Sequence, residues 1–260
     1  MSYKKYHYIY GPVSSWRLGS SLGVDPLSCK EKICTFDCLY CQLGKTEVFQ
    51  DKRKEFVPTE KIMEEIKSLP ILEMDYITLS GRGEPTLARN LGEIIKEIKK
   101  IRKENIAIIT NSSLIDKKDV QEDLMLTDLV MVKLDASSED LFLAINKPMQ
   151  TIKFDKILKG IKDFRSLYKG KLALQIMFIE ENKLYAGEIA EIVKAINPDQ
   201  TQLNSPLRPC EVSPLSKEEL DNIRDYFEGM DVVSVYESKR KAVKPVSKTC
   251  TLKRRGKVDT

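Results

Sequence analysis

Apolar residues recur along this chain with two alternating periods from residue 59 onward. Helical spacing predicts helices over residues 59–68, 88–102, 117–125, 138–145, 151–168, 184–196 and 216–227. Short β-rich runs between them predict strands over residues 75–80, 106–110, 129–134, 172–179, 201–204 and 231–236. Thr59 is a predicted helix cap, and Ser216 with Glu219 forms a predicted capping box. The first 57 residues are rich in turn residues, so short strands and loops are expected there.

The alternation of strands and helices predicts βαβ units and a parallel sheet. About six units without a dinucleotide-binding fingerprint favour a full or partial β/α barrel over a doubly wound sheet. In such a barrel the functional groups gather at the carboxyl ends of the strands. This rule selects five stretches of the chain: residues 80–84, 110–111, 133–135, 180–182 and 204–208.

The composition is that of an ordinary soluble protein, with 42% hydrophobic and 32% charged residues. No uninterrupted apolar run is long enough to span a bilayer, and the first ten residues lack the apolar segment of a signal peptide. We therefore expect a cytoplasmic protein without a membrane partner, in which the cysteines stay reduced.

A basic run near the C-terminus changes the picture of possible partners. Residues 239–257 contain nine Lys or Arg and no acidic residue. Such a run can contact a phosphate backbone. The commoner behaviour of a charge block is that of a solvated, partly disordered tail, and that interpretation is preferred here.

Three cysteines stand within eight residues, in Cys34-Thr-Phe-Asp-Cys38-Leu-Tyr-Cys41. Thiolates select zinc, copper(I) or iron–sulfur clusters. A zinc site usually takes four ligands in paired spacings, whereas the only histidine is His7 and no second Cys-x2-Cys pair exists. A [4Fe–4S] cluster normally takes four thiolates. The spacing therefore favours a cluster with three protein ligands and one iron open to another molecule.

The remaining cysteines, Cys29, Cys210 and Cys250, are scattered along the chain. Their convergence on a second cluster is an alternative that the spacing does not support. Lone buried cysteines are common in proteins.

A second motif, Ser80-Gly-Arg-Gly-Glu-Pro-Thr-Leu87, follows a predicted strand. Gly81 and Gly83 allow the backbone to approach a ligand closely, and Glu84 places a carboxylate at the strand end. The alternative is a strand-to-helix loop with an ordinary capping acid. The motif is not a P-loop, because no Gly-Lys-Ser/Thr follows it.

Other polar residues also follow predicted strands. Lys133 and Asp135 both fit the barrel mouth, where a carboxylate can bind ribose hydroxyls; a surface ion pair or a helix cap by Asp135 is an equal alternative. Asn111 and Asn204 suit hydrogen bonding to adenine, ribose or substrate, although turn roles suit them equally. Arg208 is a candidate for binding a phosphate or carboxylate.

The cysteine spacing, with Tyr40 before the last cysteine, resembles that of the radical S-adenosylmethionine (SAM) superfamily. Gly83-Glu84 resembles the core of its Gly-Gly-Glu motif, although Arg82 separates the two glycines here. Six stretches together resemble the small Fe–S oxidoreductases related to 4-demethylwyosine synthase: residues 10–23, 34–46, 80–87, 110–114, 133–136 and 145–148.

The resemblance implies a partial (β/α)6 TIM-like barrel of the radical SAM type with small N- and C-terminal additions. We expect the barrel in residues 1–215 and a helix-strand extension with the basic tail in residues 216–260. Cys34, Cys38 and Cys41 are the implied ligands of the [4Fe–4S] cluster. The residues expected to bind SAM are Tyr40, Gly81, Gly83, Glu84, Asn111, Lys133, Asp135 and Asn204.

In that superfamily SAM binds the open iron, and its reductive cleavage generates a 5′-deoxyadenosyl radical. The resemblance therefore implies a reducing partner such as ferredoxin or flavodoxin. Three hypotheses about function follow: modification of a base in tRNA or another RNA, modification of a small molecule or protein, and, outside catalysis, a metal-binding module. The sequence identifies no catalytic residue.

Overall fold

The structure is a computed structural model that describes residues 6–237 and 241–255. The strands in these residues are β1 (Ile9–Ser15), β2 (Gly19–Val24), β3 (Ile33–Cys34), β4 (Val48–Phe49), β5 (Tyr76–Leu79), β6 (Asn105–Thr110), β7 (Leu129–Lys133), β8 (Lys171–Met177), β9 (Gln200–Asn204) and β10 (Val232–Ser234). The α-helices are α1 (Thr59–Lys67), α2 (Leu91–Ile101), α3 (Lys118–Leu124), α4 (Glu139–Asn146), α5 (Phe154–Leu167), α6 (Ala186–Ile196), α7 (Lys217–Arg224) and α8 (Lys248–Arg255). Every element predicted from residue 59 onward is present.

Eight of these strands form one sheet in the order β1-β2-β5-β6-β7-β8-β9-β10. Neighbours from β2 to β10 are parallel, and β1 is antiparallel to β2. The first and last strands of this order are not paired with each other, so the curled sheet is a half-barrel with helices on its outside. The predicted partial TIM-like barrel is confirmed. The predicted domain boundary at residue 215 stays a prediction, although β10 extends the same sheet.

The two faces of the sheet bury different side chains. On β8, Leu172 and Leu174 pack outward into the large core shared with the helices, whereas Ala173 faces inward. Inward residues of β6, β7 and β8, together with one residue between β1 and β2, form a separate buried group, here called the inner apolar cluster: Leu18, Ala107, Leu129, Met131 and Ala173. This group closes the barrel towards the amino ends of its strands. No helix within the described ranges is long and apolar enough to cross a bilayer.

The hairpin of β1 and β2 lies in the first 57 residues, where short strands and loops were predicted without bounds, because glycines and proline there are typical of turns. Pro12 is tolerated because β1 is an edge strand, and the register shifts between Tyr10 and Val13. Gly23 is required by packing, since a Cβ at this position would lie 2.1 Å from the Tyr10 ring. Both strands therefore belong to the sheet although their sequence is turn-like.

The basic C-terminal run does not behave as the predicted solvated tail where the structure describes it. α8 packs along β1, and Gly11 and Ser247 form an antiparallel bridge. Arg254 is buried and its Nε donates to Asp25 Oδ2 at 2.8 Å. The physical reason is that an edge strand gains stability when it is covered. Residues 239, 240, 256 and 257 of the run lie outside the described residues.

Two predicted helix starts have different outcomes. Pro58, not Thr59, is the N-cap of α1, and the Thr59 hydroxyl instead accepts a hydrogen bond from Asn90 Nδ2 at 3.1 Å. The capping box of α7 is confirmed, because Glu219 N donates to Ser216 Oγ and Ser216 N donates to Glu219 Oε2.

Candidate active site

The cysteine motif lies at the carboxyl ends of the parallel strands, against the loop that follows β5. Cys34 ends the short strand β3, and all three motif cysteines are partly buried with free thiols. Ile33 N donates to Arg82 O at 3.3 Å, and Glu84 N donates to Ile33 O at 3.2 Å. The two motifs that the sequence singles out separately are therefore joined by backbone hydrogen bonds.

Close approach of other groups explains both glycines of the second motif. Gly83 has φ +152°, and a Cβ there would lie 1.8 Å from the carbonyl oxygen of Ile33. A Cβ on Gly81 would lie 2.1 Å from the Asp25 carboxyl carbon. The glycines thus allow the cysteine loop and Asp25 to pack against this segment. The sequence predicted that a group approaches the backbone of the two glycines closely, but it did not identify that group.

Glu84 is buried, and its carboxylate ties the β5 loop to β6. Oε1 accepts hydrogen bonds from Thr86 N at 3.1 Å, Thr86 Oγ1 at 2.7 Å and Thr110 Oγ1 at 2.7 Å. Oε2 accepts one, from Asn111 N at 2.7 Å. Burial raises the pKa of this carboxyl, and the hydrogen bonds from Asn111, Thr110 and Thr86 oppose that rise. Oε2 keeps an acceptor position for a further donor, since each carboxylate oxygen has about two lone-pair sites.

Asn111 lies beside the first cysteine. Its Nδ2 donates to Thr35 Oγ1 at 2.8 Å and reaches Cys34 Sγ at 3.5 Å. Burial, with the charge of Glu84, raises the pKa of the Cys34 thiol to about 12. Asn111 therefore orients the cysteine loop, and its expected contact with adenine, ribose or substrate stays a prediction.

Tyr40, Lys133 and Asp135 meet in one hydrogen-bonded group. The Tyr40 hydroxyl donates to Asp135 Oδ2, and Lys133 Nζ donates to the Tyr40 hydroxyl at 2.9 Å. Lys133 Nζ also lies 4.2 Å from the centre of the Tyr40 ring. Asp135 Oδ1 accepts from Met177 N at 2.7 Å. Asp135 does not cap the next helix, because Ser138 does so through a bond from Leu141 N.

Asn146 completes this group, and reasoning from residue types missed it. Its Nδ2 donates to Asp135 Oδ2 at 2.9 Å and to the Tyr40 hydroxyl at 3.0 Å, and lies 3.4 Å from Cys38 Sγ. Burial raises the pKa of the Cys38 thiol, which Lys133 and the Asn146 hydrogen bond oppose. The signal was the stretch 145–148, which carried the family resemblance without a stated role.

The segment that contains Asn146 clamps the cysteine loop through its backbone. Leu39 N donates to Ile145 O at 3.0 Å, and Asp37 N donates to Asn146 O at 3.0 Å. Met149 N donates to Thr35 O at 2.9 Å. The loop between Cys34 and Cys41 is thus held from two sides by contacts within the protein.

Asn204 is not brought to the cysteine motif. It lies on the inner face at the end of β9, in register with Met177, and its carbonyl accepts from Phe178 N at 2.8 Å. Arg208 donates to Gln42, the residue after the cysteine motif. The structure therefore gathers seven of the eight predicted SAM-binding residues around the cysteine loop and leaves Asn204 on a neighbouring strand.

The remaining cysteines do not converge. The thiols of Cys29, Cys210 and Cys250 donate to three different carbonyls, those of Leu27, Val212 and Tyr6. A second cluster on these residues is not supported.

The three motif thiols suit a cluster better than a single ion. Within residues 6–237 and 241–255, no three His, Cys, Asp or Glu side chains are placed to share one metal ion. In a [4Fe–4S] cluster each thiolate binds a different iron, so the sulfurs stand further apart than around zinc. Amide donors at Cys34 and Cys38 suit the hydrogen bonds that tune cluster sulfurs. The donor set fits a cluster.

The sequence profile of the Radical SAM superfamily matches residues 32–194. A UPF0026 protein from Synechocystis sp. is 41% identical over 211 residues, which cover 81% of this chain and 78% of that protein. Among solved structures, Streptococcus suis SuiB bound to the precursor peptide SuiA superposes with a TM-score of 0.61 at 16% identity. Archaeal TYW1 superposes with a TM-score of 0.59 at 18% identity, over 81% of this chain and 72% of that one.

The match to SuiB covers 82% of this chain and 48% of SuiB, so the chain spans about half the length of that protein. At these identities the two solved structures establish the fold alone. Archaeal TYW1 thus shares the fold of this chain, and the expected relation to the wyosine synthases stays a prediction.

Proposed function

This chain belongs to the radical SAM superfamily and is a radical SAM enzyme, and we propose that it modifies a base in tRNA. The observation that carries the SAM-binding part of the proposal is the backbone pairing of Ile33 with Gly83, which joins the cysteine loop to the Gly83-Glu84 segment. Three thiols and a buried carboxylate with a spare acceptor position thereby stand side by side.

Cys34, Cys38 and Cys41 would hold the [4Fe–4S] cluster, with its fourth iron open to the amine and carboxylate of SAM. When bound, the cluster supplies the electron that cleaves the sulfonium and releases a 5′-deoxyadenosyl radical. A reductant such as ferredoxin or flavodoxin would deliver that electron.

The chain's own residues would bind and orient SAM. Glu84 Oε2 would accept a hydrogen bond from the SAM ammonium, because it is the less occupied oxygen of the carboxylate. Lys133 Nζ lies beside the Tyr40 ring and would face the anionic part of the cofactor. Tyr40, Asp135 and Asn146 would fix the cysteine loop, so that its sulfurs need little rearrangement when the cluster binds.

The substrate class rests on charge and on the family resemblance. Arg254 contacts Asp25, directly after β2, so the basic helix α8 ends near the barrel mouth. Lys244, Lys248 and Lys253 are exposed on this segment and can face a phosphate backbone. The family that the sequence resembles is related to 4-demethylwyosine synthase, which acts on methylguanosine in tRNA. The second candidate is a peptide substrate, in line with the precursor peptide bound to SuiB, which shares the fold.

Anaerobic reconstitution tests the catalytic part of the proposal. With SAM and a chemical reductant, the protein should release 5′-deoxyadenosine, and Cys38→Ala should abolish both cluster and product. Cys210→Ala is the matched control and should behave as wild type, because that thiol lies outside the motif. A reconstituted protein that holds about four irons but never cleaves SAM would instead support the metal-binding module.

Adding tRNA tests the substrate. Deoxyadenosine should rise with tRNA, and mass spectrometry should detect a new modified nucleoside. A triple variant, Lys244→Gln, Lys248→Gln and Lys253→Gln, should bind tRNA less tightly with a shallower salt dependence, by about 0.9 in slope per lost phosphate contact. A rise with low-molecular-weight extract or peptide, and none with tRNA, would refute the tRNA assignment and leave the radical chemistry intact.

A further inference from the structure

A row of polar side chains crosses the inner face of the half-barrel just above the inner apolar cluster. Lys133 of β7, Gln175 of β8 and Gln202 of β9 are neighbours in register. Side chains alternate along a strand, so Gln175 shares the inward face of Ala173, while Leu174 and Ile176 face the helices. Adjacent strands lie about 4.8 Å apart, which places Gln175 next to the residues assigned to the cofactor.

Two hydrogen-bonding groups in this row lack a partner. Gln175 is 3% exposed and Gln202 is 1% exposed. Gln202 Nε2 donates to Gln200 Oε1 at 3.0 Å, which leaves Gln202 Oε1 as an acceptor. Within the described part of the chain, neither Gln175 Nε2 nor Gln202 Oε1 has a hydrogen-bond partner. Buried polar groups are paired in most proteins, so an orphan donor beside an orphan acceptor indicates a ligand that the fold is built to receive.

The surroundings define the chemistry of that ligand. Gln175 Nε2 is an N–H donor and Gln202 Oε1 is a carbonyl acceptor on the adjacent strand. Together they complement a ligand that carries a C=O group beside an N–H group. Towards the amino ends of the strands, Met131 and Ala173 of the inner apolar cluster present an apolar surface for a flat ring. Lys133, the one cation of the row, already donates to Tyr40. A neutral heterocycle with a lactam edge fits these groups better than a phosphate or carboxylate does.

We propose that Gln175 and Gln202 form the substrate-reading site of this enzyme and bind the lactam edge of a nucleobase, with Gln175 donating to its carbonyl and Gln202 accepting from its ring N–H. This inference rests on the proposed function, because it presumes that the substrate is a base placed beside SAM. Gln175 and Gln202 are specificity-determining residues in this assignment and take no part in cleaving SAM.

Binding of two matched probes tests the assignment directly. Inosine carries a ring N–H beside a carbonyl, and 1-methylinosine replaces that N–H with a methyl group. The full-length chain is reconstituted anaerobically and loaded with SAM without reductant, and binding is followed by saturation-transfer NMR. Inosine should bind at least about tenfold more tightly than 1-methylinosine, since the methylated base leaves Gln202 unpaired.

Three variants separate recognition from structure. Gln175→Met and Gln202→Met keep the side-chain volume but remove the hydrogen-bonding groups, so each should weaken inosine binding about tenfold or more. Their thermal midpoints should equal or exceed that of wild type, because an unpaired buried amide is removed. Gln150→Met, at an exposed position, is the matched control and should bind as wild type.

The outcomes distinguish this inference from the proposed function. Equal binding of the two nucleosides, or no binding of inosine at its solubility limit, overturns the assignment. So does a lowered thermal midpoint with unchanged binding, which would make the glutamines structural. Binding of N-acetylglutamine amide in place of inosine would transfer the site to a protein substrate and also overturns it. Release of 5′-deoxyadenosine by the same preparation shows that the radical chemistry is intact in each case, and its absence refutes the proposed function instead.

Discussion

The buried ion pair between Arg254 and Asp25 gives the sharpest stability prediction. Arg254 Nε lies 2.8 Å from Asp25 Oδ2, and the side chains of Arg254 and Asp25 are 5% and 0% exposed. Arg254→Met keeps most of the side-chain length and removes the charge. Asp25 then keeps only its backbone donors, the N–H groups of Leu27, Ser28 and Arg82. A carboxylate left buried without its partner costs about 3–5 kcal/mol, so the free energy of unfolding should fall by about that amount.

Urea denaturation followed by circular dichroism measures this loss as a lower midpoint at unchanged slope. For a chain of this size, about 2–4 °C is lost in thermal midpoint per kcal/mol, which predicts a fall of about 6–20 °C. Arg224→Met is the matched control, because its ion pair with Glu237 is about 40% exposed and should contribute at most about 1 kcal/mol.

A double variant, Asp25→Asn with Arg254→Met, checks the cause. Its destabilisation should be smaller than the sum of the single ones, because the unpaired charge is then absent. If Arg254→Met lowers the free energy of unfolding no more than Arg224→Met does, the buried ion pair does not stabilise the protein and α8 is not part of the cooperative fold. The Asp25 contact with the Gly81–Arg82 backbone also predicts weaker SAM binding in Arg254→Met.

Three further predictions follow from the site and its supports. Glu84 accepts four hydrogen bonds, and Glu84→Gln replaces one of its acceptor oxygens by a donor. The variant should therefore lower the free energy of unfolding by about 1–3 kcal/mol and weaken SAM binding measured by calorimetry. Glu60→Gln, at an exposed position, should do neither. Gly83→Ala should prevent iron incorporation, because the added Cβ would meet the Ile33 carbonyl. Gly44→Ala is the control: it lies at φ +76° with open space around it, so it should lower the free energy of unfolding by only about 1–2 kcal/mol and keep the iron. Equal iron content in the two variants would show that Gly83 is not needed to hold the cysteine loop. Burial raises the pKa of Tyr168 to about 12 from 10.0. Its contribution to stability is therefore present below pH 10 and lost as pH rises towards 12, and ultraviolet phenolate titration should lose one late-titrating group in Tyr168→Phe.

Periodicity alone was sufficient for the regular part of the fold. The helix over residues 91–101 has Leu91, Ile94, Ile95 and Ile98 fully buried, as their spacing predicts. A run of alternating strands and helices leaves few topologies other than a parallel sheet with outer helices. Periodicity gave no bounds for β1 and β2 within the expected short strands and loops, because their glycines and proline are typical of turns.

The candidate site likewise has residues that the sequence alone could select and residues that it could not. The three cysteines, Gly83 and Glu84 could be selected from local spacing, because covalent neighbours in one loop stay near each other in any fold. Asn146 could not be assigned a role, since its contacts with Tyr40 and Asp135 join residues far apart in sequence. The contacts of Asp135 with Tyr40 and Asn146 could not be derived from the sequence for the same reason, and its binding of ribose stays a prediction.

The sequence by itself determined the elements, the barrel class and the loop that can hold a soft metal cluster, because these depend on local periodicity and spacing. Only the tertiary structure decided what Gly81 and Gly83 make room for, how α8 is held on β1, and that Gln175 and Gln202 stand side by side without partners. Those facts depend on the register of β8 against β9 and on packing between distant segments, and neither is written in any short stretch of the chain.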